Sequence, residues 1–180
     1  LLNNGTAIGI FNDDFKKIGQ GRFLGIPIVI FIMAVVYILL IVFLKYTKFG
    51  REAYAVGGNA KSAKYSGINI SKVRFGIFTL AGLMAGIAGV CYASIVGSGT
   101  VTAGADSTMN AIAAVILGGA SLSGGVANIF GTLLGVLLLG TIDNGLAILG
   151  VSSYWKLIVK GLILIFAIFV DVMRGGEKYE

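Results

Sequence analysis

Charge is absent from three long stretches of this chain, between Arg22 and Lys45, between Arg74 and Asp106, and between Asp106 and Asp143. The first two hold the apolar runs 23–44 and 75–96, and each matches the roughly 20 residues that a helix needs to cross a bilayer core. Membrane helices are therefore predicted at about 25–44, with Pro27 in the first turn where its missing N–H costs little, and at about 73–96. Beyond Asp106 the pattern is interrupted: residues 109–117 are too few to span unaided, GGASLSGG at 118–125 breaks the run, and 129–142 resumes it. A short or broken helix followed by a full one is expected there. A last apolar run, 154–170, precedes the mixed-charge tail 171–180.

The polar segments orient these runs. Lys45, Lys48, Arg51, Lys61, Lys64, Lys72 and Arg74 face a single acid, Glu52, within residues 45–74. The positive-inside rule places that loop in the cytoplasm. Residues 97–106 (GSGTVTAGAD) then form an outer loop, and residues 1–24, where Asp13 and Asp14 offset Lys16 and Lys17, form an extracytoplasmic loop. Three further crossings return the C-terminus to the cytoplasm. Lys156 and Lys160 run against this scheme, because they fall toward the outer end of the last span, where lysines can snorkel to the interface.

Composition agrees with lipid as the main solvent: 57% of the 180 residues are hydrophobic and 12% charged, against about 25% charged in soluble domains. Many of the 28 glycines lie inside apolar runs, where they let helices approach closely, as in Gly82-Leu-Met-Ala-Gly86 and Gly131-Thr-Leu-Leu-Gly135. The net charge of +6 arises chiefly from the basic loop, so it marks topology and not a nucleic-acid surface. Cys91 is the only cysteine and has no disulfide partner. Without histidine, neither H-E-x-x-H zinc chemistry nor a Ser–His protease can be built from this chain. Without a Gly-Lys dipeptide there is no phosphate loop of the Walker type. Residue 1 is Leu and no leader precedes an apolar run, so the sequence reads as truncated at its N-terminus. The sequons at Asn4 and Asn69 read as chance.

The segment GREAYAVGGNAKSAKYSGI, residues 50–68, is too organised for a plain connection. Asn59 can cap a helix of about two turns over 60–66, with Gly67 in the left-handed position after it and Ile68 as its apolar follower. Lys61 and Lys64 share one face. Ala60 and Ala63 leave the other nearly smooth, which suits either a groove on another protein or, lysines down, anionic headgroups. Among polar residues in or near the apolar runs, Asp106, Asp143 and Lys160 meet either water at the interface or a cavity, with Asp143 the expected partner of Lys160. Asn110, Ser121, Ser123, Asn144 and Lys160 are candidate pore-lining groups, although Ser and Asn also bond helix to helix.

Taken in order, that segment, AIAAVILGGASLSGG at 111–125, GTLLGVLLLG at 131–140 and NGLAILGVSSYWKLIVKG at 144–161 resemble the permeases of ribose-type ABC importers, within the wider branched-chain amino-acid and sugar permease superfamily. The resemblance runs from about residue 21 to 170. It implies an all-α, polytopic transmembrane helical bundle (residues 25–180) with one short broken helix and a cytoplasmic coupling helix in loop 45–74, lacking several helices found N-terminally in the family. It implies a coupling segment touching a separate ATPase subunit, with Arg51, Tyr54, Gly57, Gly58, Asn59, Ala60, Ala63, Ser66 and Gly67 as the contacting residues. It further implies a second, identical permease subunit, an extracytoplasmic sugar-binding protein, ATP and Mg bound by the ATPase and no cofactor in this chain, and a monosaccharide as cargo in the cytoplasmic membrane. Three places depart from the family pattern: residues 106–110 (DSTMN), where the family usually has two acids, Ala127 for a usual Gly, and Asp143 for a usual Asn. The competing reading is an ion-coupled secondary transporter, for which the 118–125 break and intramembrane charges would be expected.

Overall fold

Capping residues and uncharged runs set the order of elements. The structure is a computed structural model and describes residues 8–10, 12–99, 104, 107–121 and 124–176. In chain order it contains β1 (Ile8–Gly9), α1 (Asp13–Gln20), β2 (Arg22–Phe23), β3 (Ile26–Pro27), α2 (Ile28–Tyr46), α3 (Lys48–Gly58), α4 (Ala60–Tyr65), α5 (Ile70–Val96), β4 (Ser98–Gly99), α6 (Ser107–Leu117), α7 (Ile129–Ile148) and α8 (Ser153–Gly176). The all-α class expected from the sequence holds, and the strands are two-residue ladders, β1 with β4 and β2 with β3, both antiparallel. Among the described residues α2, α5 and α7 are long and apolar enough to cross a membrane. No residue of α2 is buried; residues 32, 36, 37, 40, 41 and 44 are half-buried and the others beyond its first turn are exposed, which leaves much of its apolar surface to hydrocarbon.

The chain divides into two compact units, the first being Leu1–Ala53 with Gly67–Ala105. Within the expected lead segment residues 13–20 form α1, because Asn12 accepts from the Asp14 and Phe15 amides and Asp13 and Asp14 favour the positive helix start. α1 is fastened to the end of α5 by Ser94, which is fully buried. Its hydroxyl accepts from the Gly19 amide at 2.7 Å and donates to the Phe15 carbonyl at 2.5 Å. A Cβ at Gly19 would collide with the Ser94 and Ile95 backbone, so glycine is what allows α1 to lie so close.

The start of the first span is corrected. Pro27 ends the β2–β3 hairpin and serves as the N-cap of α2 instead of lying within its first turn. The hairpin reverses at Leu24 and Gly25, with φ of 53° and 82°, the left-handed pair of a tight two-residue turn. At its other end α2 is followed by Phe49, whose ring stands 5.6 Å from that of Phe43. Phe49 also fills the space over Gly76 of α5, where a Cβ would meet the ring at 2.5 Å. Asn69, one of the two sequons, caps α5 by accepting from the Lys72 amide.

The second unit is Tyr54–Ser66 with Asp106–Glu180. The broken-helix expectation is met: α6 stops at Leu117, and α7 starts after Asn128, whose side chain accepts from the Gly131 amide. α6 and α7 cross at small residues. A Cβ on Gly131 would run into the Gly118 carbonyl, and one on Gly135 into that of Ala114, so the Gly131-x-x-x-Gly135 pattern makes the close crossing predicted for it. Gly82 and Gly86 of α5 have the same spacing yet meet nothing within 4 Å. The apolar centre of this unit is Ala113, Ala114 and Leu139, with Ile163 and Leu164 of α8 packed against it.

Candidate functional site

Two places gather the residues singled out in the sequence. The first is the polar segment before α5. The helix expected there forms as α4: Asn59 accepts from the Ser62 amide at 3.0 Å, Ser66 bonds back to the Ser62 carbonyl, and Gly67 has φ +81°. Lys61, Lys64 and Tyr65 are exposed, Tyr65 at 90%. Ala63 is 3% exposed and Ala60 half-buried, so this chain's own atoms cover the alanine face. The exposed side of α4 is the basic one.

The residues before Asn59 are also helical, as the end of α3, although three glycines interrupt them. Arg51 is exposed and reaches the Tyr46 carbonyl at 3.5 Å, and Tyr54 is half-buried. Gly57 and Gly58 lie backbone to backbone against Gly124 and Gly125, the second glycine pair of the GGASLSGG break. A Cβ on Gly124 would strike the Gly57 carbonyl, and one on Gly125 would stand 2.6 Å from the Gly58 Cα. Gly124 and Gly125 have φ of +92° and +77°, where L side chains are strained. The organised segment and the break, read separately in the sequence, thus form one contact.

The second place is an open cleft of about 490 Å³ where the end of α7 meets the start of α8, lined by Asp143, Asn144, Ser153, Lys156 and Lys160 among others. Lys160 Nζ is 2.6 Å from Asp143 Oδ2, with side chains 22% and 36% exposed. The partnership expected from the sequence is therefore made. Of the candidate pore-lining residues, Asn144 and Lys160 come together here. Asn110 is half-buried on α6, and Ser121 sits in the turn after α6, beside a smaller, almost wholly apolar cavity. Ser123 and Asp106 lie outside the described residues. Ser153 and Lys156 were not singled out as lining residues, although Lys156 had already stood out as a charge inside an apolar run. No group of three metal-ligating side chains occurs among the described residues.

Three helices long and apolar enough to cross a membrane, with a capped basic helix between two of them in the sequence, mark a multi-pass membrane protein. The model of the branched-chain amino acid transport system / permease component family matches residues 3–168, and the chain belongs to that family. It is 48% identical over 95% of its length to the ribose import permease protein of Bacillus subtilis (strain 168), covering 53% of that protein. To the ribose import permease protein of Escherichia coli (strain K12) it is 44% identical over 88% of its length, covering 50% of that protein. To the xylose transport system permease protein of Haemophilus influenzae it is 43% identical over 82%, covering 39% of that protein. The chain thus spans about half the length of the ribose permeases it matches. No solved structure matches it.

Proposed function

We propose that this chain is the C-terminal part of a membrane permease subunit of an ATP-binding-cassette importer, which moves a monosaccharide of the ribose or xylose type across the cytoplasmic membrane. The observation that carries this reading is the glycine contact. A capped helix with an exposed basic side is joined through Gly57 and Gly58 to Gly124 and Gly125 at the foot of α7. A displacement of the α3–α4 segment therefore presses on the turn that leads into α7, which is the kind of link a subunit driven by a separate ATPase needs.

In this reading α4 and the end of α3 rest on the ATPase, which binds ATP and Mg and performs the hydrolysis. A second, identical permease subunit completes the path, and an extracytoplasmic protein delivers the sugar. The basic loop and the tail face the cytoplasm. The ion-coupled reading has one observation in its favour, the Asp143–Lys160 pair within the apolar helices.

Reconstitution of the full-length permease with its ATPase and binding protein separates the two. Cysteines in place of Lys61, Lys64 or Tyr65 are expected to crosslink to the ATPase, and ribose or xylose uptake to require ATP. Uptake that follows an ion gradient, with no crosslink, overturns the importer reading.

A further inference from the structure

We propose that the cleft around Asp143 and Lys160 is a binding subsite for a neutral polyhydroxyl molecule, a monosaccharide, at the mouth of the path opposite α4. The proposal rests on the permease reading for its sense of direction only.

Its position comes from α7. Gly124 and Gly125, in contact with the α3–α4 segment, precede the start of that helix, and Asp143 lies near its other end. With about 1.5 Å of rise per residue, α7 runs about 21 Å from Ile129 to Asp143, most of the thickness of a hydrocarbon core. If α4 is cytoplasmic, as the basic loop indicates, the cleft opens on the side where an importer's cargo arrives. Trp155 and Tyr154 are exposed in the first turn of α8, as side chains at a membrane interface are. Lys160 stands one to two turns deeper.

The chemistry of the cleft is more than helix packing requires. The helices around Leu139 are held by apolar contacts, yet an ion pair has been placed beside an opening. Among the described residues the side chains of Asn144, Ser153 and Lys156 have no polar partner. Asp143 supplies acceptors, Lys156 donors, and Asn144 and Ser153 both. Vicinal hydroxyls donate and accept at once, so they can satisfy this mixed set. About 490 Å³ falls within the roughly 300–1,000 Å³ of small-molecule sites. The Asp143 carboxylate neutralises Lys160 and repels a phosphate, which favours an uncharged polyol over an anionic lipid headgroup.

The test uses the full-length permease in lipid nanodiscs, with Cys91→Ala as background and Ser153→Cys, or in a second variant Asn144→Cys, as the reporter. Its readout is the rate of modification by a charged, water-soluble thiol reagent, without ATP or binding protein. Ribose or xylose is expected to slow modification several-fold, leucine at equal concentration to leave it unchanged, and Asp143→Asn to abolish the protection. Protection by phosphatidylglycerol in the disc but by neither sugar would assign the cleft to a lipid headgroup and overturn the proposal. So would modification at an unchanged rate with sugar, or no modification at either position. ATP-driven uptake measured separately on the same background tests the importer reading, and sugar protection without ATP dependence would retain the subsite while rejecting that reading.

Discussion

Gly125 rests on Gly58 so closely that a Cβ added to Gly125 would lie 2.6 Å from the Gly58 Cα. Two segments 67 positions apart are thereby held at van der Waals distance with no side chain between them. Neither partner can move away without opening a gap, and neither can grow without pushing the other.

Gly125→Ala combines this collision with a φ of +77°, a region that costs an L residue roughly 1–2 kcal/mol. In the full-length permease, ATP hydrolysis is expected to continue while uptake falls at least about tenfold, the equivalent of about 1.4 kcal/mol in the coupled step. Parallel ATPase and uptake assays on the purified complex check this. Equal loss of both activities would mean a folding defect.

Replacing Asn59 with Ala removes the bond to the Ser62 amide and is expected to weaken α4 by about 1 kcal/mol, whereas Asn59→Ser retains most of the cap. Amide exchange over residues 60–65 should accelerate in the first variant and stay close to wild type in the second.

The bond between Asp143 and Lys160 is 2.6 Å long in a half-exposed setting, so it falls between surface pairs and buried ones. Lys160→Met is expected to cost about 1–2 kcal/mol, below the 3–5 of breaking a fully buried pair. A double-mutant cycle with Asp143→Asn, read from thermal melting, should show the two losses to be clearly less than additive. Full additivity would remove the interaction from the account.

Ser94→Ala strips the Gly19 amide and the Phe15 carbonyl of a shared partner, at about 1–3 kcal/mol for groups left unsatisfied. Hydrogen exchange of α1 should rise while α2 and α7 keep their protection. A uniform rise across the molecule would show that Ser94 supports more than the α1 contact.

The sequence made the spans legible because absence of charge over about 20 residues has few other causes. α4 was legible because its stop and start signals, Asn59 and Gly67, are local. The Asp143–Lys160 pair could be foreseen because two opposite charges in apolar runs have few other ways to lower their cost. The 13–20 helix has a local cap in Asn12, but Asp13, Asp14, Lys16 and Lys17 suit a solvated loop equally well, so their pattern does not single out a helix. Glycines at 50, 57 and 58 hid the α3 helix, since each lowers helix propensity by about 1 kcal/mol. The contact of Gly57 and Gly58 with Gly124 and Gly125 is non-local, and no periodicity encodes it. Gly131 with Gly135 and Gly82 with Gly86 show why: the spacing is the same, but among the described residues only the first pair has a neighbour within 4 Å. Spacing reports that a close approach is possible and not what approaches.

α7 contains no proline, the chain's sole one being Pro27, and runs unbroken from Ile129 to Ile148, so a displacement at its foot is carried along its length as a tilt. Over a lever about 21 Å long, rotation by about 5° shifts the Asp143 end by about 2 Å. Added to the present 2.6 Å, that would stretch the ion pair beyond hydrogen-bonding reach and leave both charges seeking other company. The same small rotation would thus exchange an internal bond for exposed donors and acceptors, so that the strength of this single pair sets how readily the mouth of the cleft changes its affinity.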